Sequence, residues 1–340
     1  MKKNCIFFVL IAVIFIGGVY GEKLAALSDL LVPDFMAVDN SQVYVAESTT
    51  VFIFSMKDFK LVSKFGKPGE GPQEFMKSVL GFGGISIFPL DDSLGISSVG
   101  KFSFYKKNGE YIKEMKAPSM FAFGSYNIPI EKGFVGMNMG IDQQAKKTKL
   151  FIILFDDKFN KRNTIATAEF NQQANNEFPS NSPRFQVWKD KIISVDTTGV
   201  GFGINIYNSD GKKITTITRN YPLIKVTEKY KKDVYSFYDK TPLLKQYPQL
   251  KQQVTFKDRC PAIQDIIVSD GNIYAQTYLE KDGKYEFFIF NINGKFIKTT
   301  FLPVFYRYGI IPGPKAIKNN KLYYIIENDE EECELHVVNI

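Results

Sequence analysis

What this chain has least of is histidine, tryptophan and cysteine: one, one and three in 340 residues. A single histidine, His336, cannot furnish a His-rich metal centre or several successive acid/base steps. It stands in the alternating run 334–340 and reads as a strand residue packed between neighbours. Only Cys260 and Cys333 lie beyond the N-terminal segment, and neither has the CxxC spacing of a redox or zinc site. In an oxidising compartment they are expected to form a disulfide. Long apolar runs are scarce too. Lys2 and Lys3 precede an apolar run at 5–19, shorter than the ~20 residues a spanning helix prefers. The segment 1–21 reads as a secretory signal peptide cut near Gly21, with an uncleaved anchor as the alternative. A lipid-anchor cysteine would follow that run, whereas Cys5 opens it. The glycine-rich runs 81–84 and 199–203 lack the strand-to-helix setting of a phosphate-binding loop, and read as places where strands bulge or approach closely.

Aromatic residues, in contrast, are plentiful: 31 Phe and 18 Tyr provide the side-chain volume for a large core and exclude disorder for most of the chain. Many of them recur in one pattern. FFIFNINGKFI, from Phe287, is an apolar run, an Asn-Gly turn and a second run, the strongest short-range hairpin signal. Related copies start at Val51, Phe102 and Ile204, and another, with a longer connection, at Phe151. Taking the last large residue before each turn as an anchor gives Phe54, Tyr105, Phe155, Tyr207, Phe290 and finally Val338. The intervals are 51, 50, 52, 83 and 48 residues. That rhythm implies six units of about 50 residues, one carrying an insertion.

Within the fifth unit, strands are predicted at 262–269, 272–279, 285–290 and 296–302. Four antiparallel strands per unit make the blade of a β-propeller, so the fold class is all-β, a six-bladed β-propeller spanning 22–340. WD40 and kelch signatures are excluded because Trp188, the one tryptophan, cannot recur in every blade. The last unit, 314–340, accommodates three strands only. The apolar segment 24–32 is expected to pair as its missing outer strand, closing the ring and removing an unpaired edge.

These repeats, together with Phe65-Gly66-Lys67-Pro68-Gly69-Glu70-Gly71-Pro72-Gln73-Glu74-Phe75, resemble the extracytoplasmic six-bladed propellers related to NHL-repeat proteins, whose blades often carry an FGxxGxGPGxF-like link. Gln73 stands where that link usually has glycine. The resemblance implies a fold and an extracytoplasmic setting; activity must be argued from a site.

In a propeller, the loops entering first strands and those joining second to third strands share one face. The long connections at 66–78, 171–183 and 223–261 all enter first strands, so binding is expected on their face. The insertion, 223–260, is read as helical. Thr227 is its cap, and Tyr230, Val234, Phe237 and Tyr238 follow helical spacing as a packing stripe, with Lys229, Lys231 and Lys232 on the other side. A second helix starts at Thr241-Pro242, and Pro248 interrupts or ends it. With nine Lys or Arg against four Asp or Glu, the insertion holds most of the chain's positive excess. It is suited to an acidic partner, anionic glycan or lipid headgroup, whereas nucleic acid is not expected. Lys231, Lys232, Tyr235, Tyr247 and Arg259 are the predicted ligand or partner contacts, and Cys260 and Cys333 fall on this face of adjacent blades.

No coherent set of acid, base and nucleophile is present. The expectation is an exported binding or scaffold propeller, without cofactor, recognising a macromolecular or extended ligand such as an envelope or extracellular protein or a glycan. The alternative is a metal-dependent hydrolase or lyase at the channel mouth. Asp34 and Asp265, near the starts of first strands, would hold calcium there, as carboxylates do in some related propeller hydrolases.

Overall fold

The computed structural model describes residues 21–78, 84–118, 126–142, 147–169, 177–180, 183–197 and 201–340. Residues 1–20 of the segment read as a signal peptide, residues 81–83 and 199–200 of the glycine-rich runs and much of the 171–183 connection lie outside these residues. Six four-stranded antiparallel sheets follow one another around a ring. Blade 1 is Phe35–Val38, Gln42–Glu47, Thr50–Ser55 and Leu61–Phe65, and blade 2 is Ile85–Pro89, Ser93–Ser98, Lys101–Lys106 and Tyr111–Lys116. Blade 3 is Asn127–Ile130, Gly133–Asp142, Lys147–Phe155 and Lys161–Glu169; blade 4 is Phe185–Trp188, Lys191–Val195, Phe202–Tyr207 and Lys213–Arg219. Blade 5 is Asp265–Ser269, Asn272–Lys281, Lys284–Asn291 and Phe296–Pro303. Blade 6 takes Lys315–Lys318, Lys321–Glu327 and Cys333–Asn339 from the C-terminus and its outer strand, Glu22–Ala26, from the other end of the chain.

The closing strand ends earlier than the apolar segment 24–32 predicts. Leu30 N–H donates to the Leu27 carbonyl at 3.0 Å, turning the chain inward, and both leucines are buried between blades 6 and 1. Leu31 and Val32 are exposed, their N–H groups bonded to the Glu47 carboxylate. Side chains also hold the closure. Lys23 pairs with Glu334 at 2.6 Å, and the buried His336 ring bonds Glu334 and stacks on Tyr324. As its strand position predicts, this histidine is a packed residue.

The repeat anchors have a common structural meaning. In blades 1 to 5 the pairing of third and fourth strands shifts register at Phe54, Tyr105, Phe155, Tyr207 and Phe290. Four residues beyond the last four of these anchors, Gly109, Phe159, Gly211 and Gly294 occupy the left-handed region, and each donates its N–H to the carbonyl three residues back. A type I turn followed by a left-handed residue produces this kind of bulge. Asn293 is not at positive φ, so the Asn-Gly pair does not form the two-residue turn its sequence suggests. Nor is the blade 3 connection longer than its relatives: Phe159 replaces glycine at the same position, its ring stacked 4.1 Å from Phe134.

Each anchor's bulk goes into the seams between blades. Among the described residues, six buried apolar clusters lie one per seam, and a seventh lies beneath the insertion. Burying one large side chain there stabilises the fold by about 1.5–3 kcal/mol. The link at 65–75 serves the same purpose: Phe75 is fully buried between blades 1 and 2, and Lys101 donates to the Gly71 carbonyl at 2.7 Å. A side chain at Gly66 would meet the Thr49 carbonyl and the Phe75 ring, so this position needs glycine for close approach as well as for its φ of +90°.

Candidate functional site

The insertion folds as three helices, α1 (Glu228–Lys240), α2 (Pro242–Lys245) and α3 (Pro248–Gln252). Thr227 Oγ1 accepts from the Tyr230 N–H and caps α1, as its sequence predicts. Pro242 and Pro248 begin α2 and α3, where a missing N–H has no cost. Val234, Phe237 and Tyr238 are buried, while Tyr235 is exposed on the other side of α1.

What α1 packs on comes from neighbouring blade connections. Phe178 from the blade 3–4 connection, and Tyr308, Ile310 and Ile311 from the blade 5–6 connection, complete its apolar cluster. Glu177–Phe178 pairs with Thr255–Phe256 in a short parallel ladder. At Gly309, φ +84°, a side chain would collide with Asp233, so the second connection approaches α1 closely. The second and third strands of blade 5 extend to meet α1 as well. Lys229 pairs with Asp233 of α1 and Glu280 of that hairpin, each at 3.3 Å.

Together these parts enclose a pocket of about 590 Å³ between α1 and blades 4 to 6. Two pairs of tyrosines line it. The Tyr230 and Tyr278 rings meet edge to face at 6.1 Å, and Tyr285 and Tyr306 do so at 5.3 Å. Tyr306 OH accepts from Gln276 Nε2 at 2.7 Å, and Tyr285 OH donates to Glu280 at 3.3 Å. The hydroxyls of Tyr230 and Tyr278 have no hydrogen-bond partner among the described residues. Burial raises all four phenols above their ordinary range, Tyr278 to about 12, so they remain neutral donors. Asp265, against Lys315 at 3.1 Å and Arg184 at 4.0 Å, borders both this pocket and the central channel. The channel, about 1540 Å³, runs from Asp34 and Asp265 to the short turns on the opposite face.

The predicted contact residues occupy the outside of the insertion rather than this pocket. Lys231 pairs with Glu228 at 2.8 Å and lies over the Phe256 ring; Lys232 is exposed. Tyr235, its edge against Phe256, and Tyr247 are 37% and 46% exposed. Arg259 donates to the Leu223 carbonyl at 2.8 Å and closes the neck of the insertion. Tyr230, read from its spacing as packing, does pack against the cluster of Val234, Phe237 and Tyr238, and it is also a pocket wall. Tyr278, Tyr285, Tyr306 and Arg184 had no local signal, because four separate segments bring them together.

Cys260 and Cys333 are free thiols, which corrects the expected disulfide. Sharing a face does not place them together: Cys333 packs into the seam of blades 6 and 1, its thiol toward the Leu31 carbonyl, whereas Cys260 borders the pocket. Burial pushes both thiols up to about 11. The carboxylates of the alternative reading also have separate structural partners. Asp34, 4% exposed, accepts from the Ser48 N–H at 2.9 Å and faces Arg307 at 3.5 Å, tying the blade 5–6 connection to blade 1. Calcium requires six to eight oxygens. Among the described residues no three acidic, histidine or cysteine side chains gather so as to hold a metal ion, and Asp34 and Asp265 each face a protein cation instead.

No protein-family model matches the chain, and no curated protein matches it. Among solved structures it is similar to Hsv2 of Kluyveromyces lactis, with TM-score 0.43 and 10% identity over 91% of this chain and 73% of that one. A member of the DUF4221 family from Bacteroides vulgatus gives TM-score 0.42 and 11% identity over 94% and 96% of the two chains. Hydrazine synthase of Kuenenia stuttgartiensis gives 0.40 and 12% over 88% and 75%. At these scores nothing carries over to this chain, and the propeller assignment rests on its own strand order.

Proposed function

We propose that this protein is an exported binding propeller, related to the NHL-repeat propellers, that recognises a macromolecular or extended ligand of the cell envelope or extracellular space on its insertion-bearing face. The observation that carries this reading is the cap itself. Connections from three successive blades pack into one structure around α1 and enclose a pocket at the channel mouth. The opposite face has mostly turns of a few residues, such as those at Gly109, Gly211 and Gly294. Export is supported by Lys2, Lys3 and the apolar run at 5–19. The exposed Lys232, Tyr235 and Tyr247 extend the recognition surface beyond the pocket.

The test is retention of the purified chain on isolated envelope protein and polysaccharide fractions. Lys232→Glu, Tyr235→Ala and Tyr247→Ala combined should weaken retention about tenfold or more, as loss of central aromatic contacts does. Unchanged retention, both in that variant and in one altered at the pocket, would overturn the reading. Calcium should leave the melting temperature unaltered; a calcium-dependent rise lost in Asp34→Ala with Asp265→Ala would favour a metal-dependent hydrolase or lyase instead.

A further inference from the structure

Resting on the reading of this face as the binding face, we infer that the pocket beneath α1 is a subsite for one neutral sugar ring of a glycan. Its charge chemistry comes first. Of its carboxylates, Asp265 faces Lys315 and Arg184, and Asp233 and Glu280 share Lys229. The remaining charges, Asp282 and Lys225, are of opposite sign and exposed at the rim. A charged ligand would therefore enter without an uncompensated counter-charge, and removing its charge from water costs several kcal/mol. A neutral polar ligand meets no such penalty.

The walls narrow the class further. A pyranose combines apolar C–H faces with a rim of hydroxyls that both donate and accept. Aromatic rings match the first, and neutral hydroxyls, guanidinium and amide groups match the second. In an edge-to-face pair, the ring presenting its edge keeps its own faces clear of its partner, and two such pairs line this pocket. The Tyr230 and Tyr278 hydroxyls have no hydrogen-bond partner among the described residues, burial keeps them protonated, and Arg184 and Gln264 line the same space. The volume, about 590 Å³, lies in the range of small-ligand sites. Exposed Lys225 and Asp282 mark its open rim, so a longer glycan can be seated here by one unit.

Saturation-transfer NMR and calorimetry on the purified full chain, with cello-, malto- and chito-oligosaccharides, a sulfated oligosaccharide and a short acidic peptide, test this. At least one neutral series should bind through its ring protons. Tyr278→Ala should abolish that binding, and Tyr278→Phe, which keeps the ring and loses one hydrogen bond, should weaken it about tenfold. Tyr235→Ala should leave binding of a single ring unaffected, and Tyr278→Phe and Tyr235→Ala should melt as the wild type does. Binding of only the sulfated sugar or the peptide, sensitive to Lys232→Glu and not to Tyr278→Phe, would overturn the subsite while leaving the binding face intact. Absence of binding by every neutral series would overturn it as well.

Discussion

At the scale of single residues, the informative positions are those whose local preference is overruled. Asp34 is held in its ionised form at a cost: burial, only partly offset by the Ser48 N–H and Arg307, raises it to about 6. An unfolded aspartate titrates near 3.9. Between about pH 4 and 6 the native state therefore binds the proton more tightly, and stability contributed through Asp34 rises as pH falls from 7 toward 5. The expected gain over that interval is about 1 kcal/mol. Asp34→Asn should remove that slope, as read from urea midpoints across the interval. Asp39, whose burial is outweighed by Lys107, the Ser41 backbone and Tyr44, is held at about 2, as is Glu334 by Lys23, His336 and Asn328. Their contributions have the opposite sign and are lost only at lower pH, as ordinary carboxylates begin to protonate. Gln73 is overruled in its backbone. It sits at φ +61° within the link, exposed and with no side-chain hydrogen bond among the described residues. Glycine adopts that conformation without the steric cost a Cβ brings. Gln73→Gly should raise stability by up to about 1 kcal/mol, measured as a higher denaturant midpoint with unchanged slope.

At the scale of elements, closure of the ring concentrates stability in a short segment. Glu22–Ala26 covers the edge of Cys333–Asn339, and the turn after it plants Leu27 and Leu30 in a seam. Deleting residues 22–33 should lower the melting temperature by about 10 °C or more and produce light scattering on heating, because it bares a strand edge as well as two buried side chains. A variant that melted as the wild type does, and stayed monodisperse, would show that the ring does not depend on this strand. The insertion is built on a different principle. Its helices are short and their apolar stripe is narrow, so its stability comes from packing on two neighbouring connections rather than from helix propensity.

At the scale of the whole molecule, the repeat rhythm, the blade count, the ring closure and the helical insertion were all legible in the sequence. Each depends on local signals repeated at near-constant spacing: the same apolar run and turn recur, and each seam must bury the same kind of bulk. The long 83-residue interval correctly marked where the pattern is interrupted. Within it, the capping Thr227 and the buried Val234, Phe237 and Tyr238 were readable from helical spacing. What spacing does not encode is which side of that helix faces a cavity. Tyr230 and Val234 pack in the same cluster, yet Tyr230 also lines the pocket, where its ring meets Tyr278 of the blade 5 hairpin. Lys232, Tyr235 and Tyr247, predicted as ligand or partner contacts, are exposed on the outside of the insertion, and Lys231 is half-buried over Phe256. The pocket walls Arg184, Tyr278, Tyr285 and Tyr306 come from blades 4 and 5 and from the blade 5–6 connection, and their meeting is a consequence of the ring. The cysteines illustrate the same limit, since topology assigns them a common face while Cys333 packs into the seam of blades 6 and 1 and Cys260 borders the pocket. By itself, then, the sequence determined a six-bladed ring with a cap on one face, because periodic burial and turn chemistry are local and repeated. Only the tertiary structure decided that the cap encloses a charge-balanced, tyrosine-lined pocket, because that site is assembled from residues up to 134 positions apart whose proximity arises when the blades close around the axis.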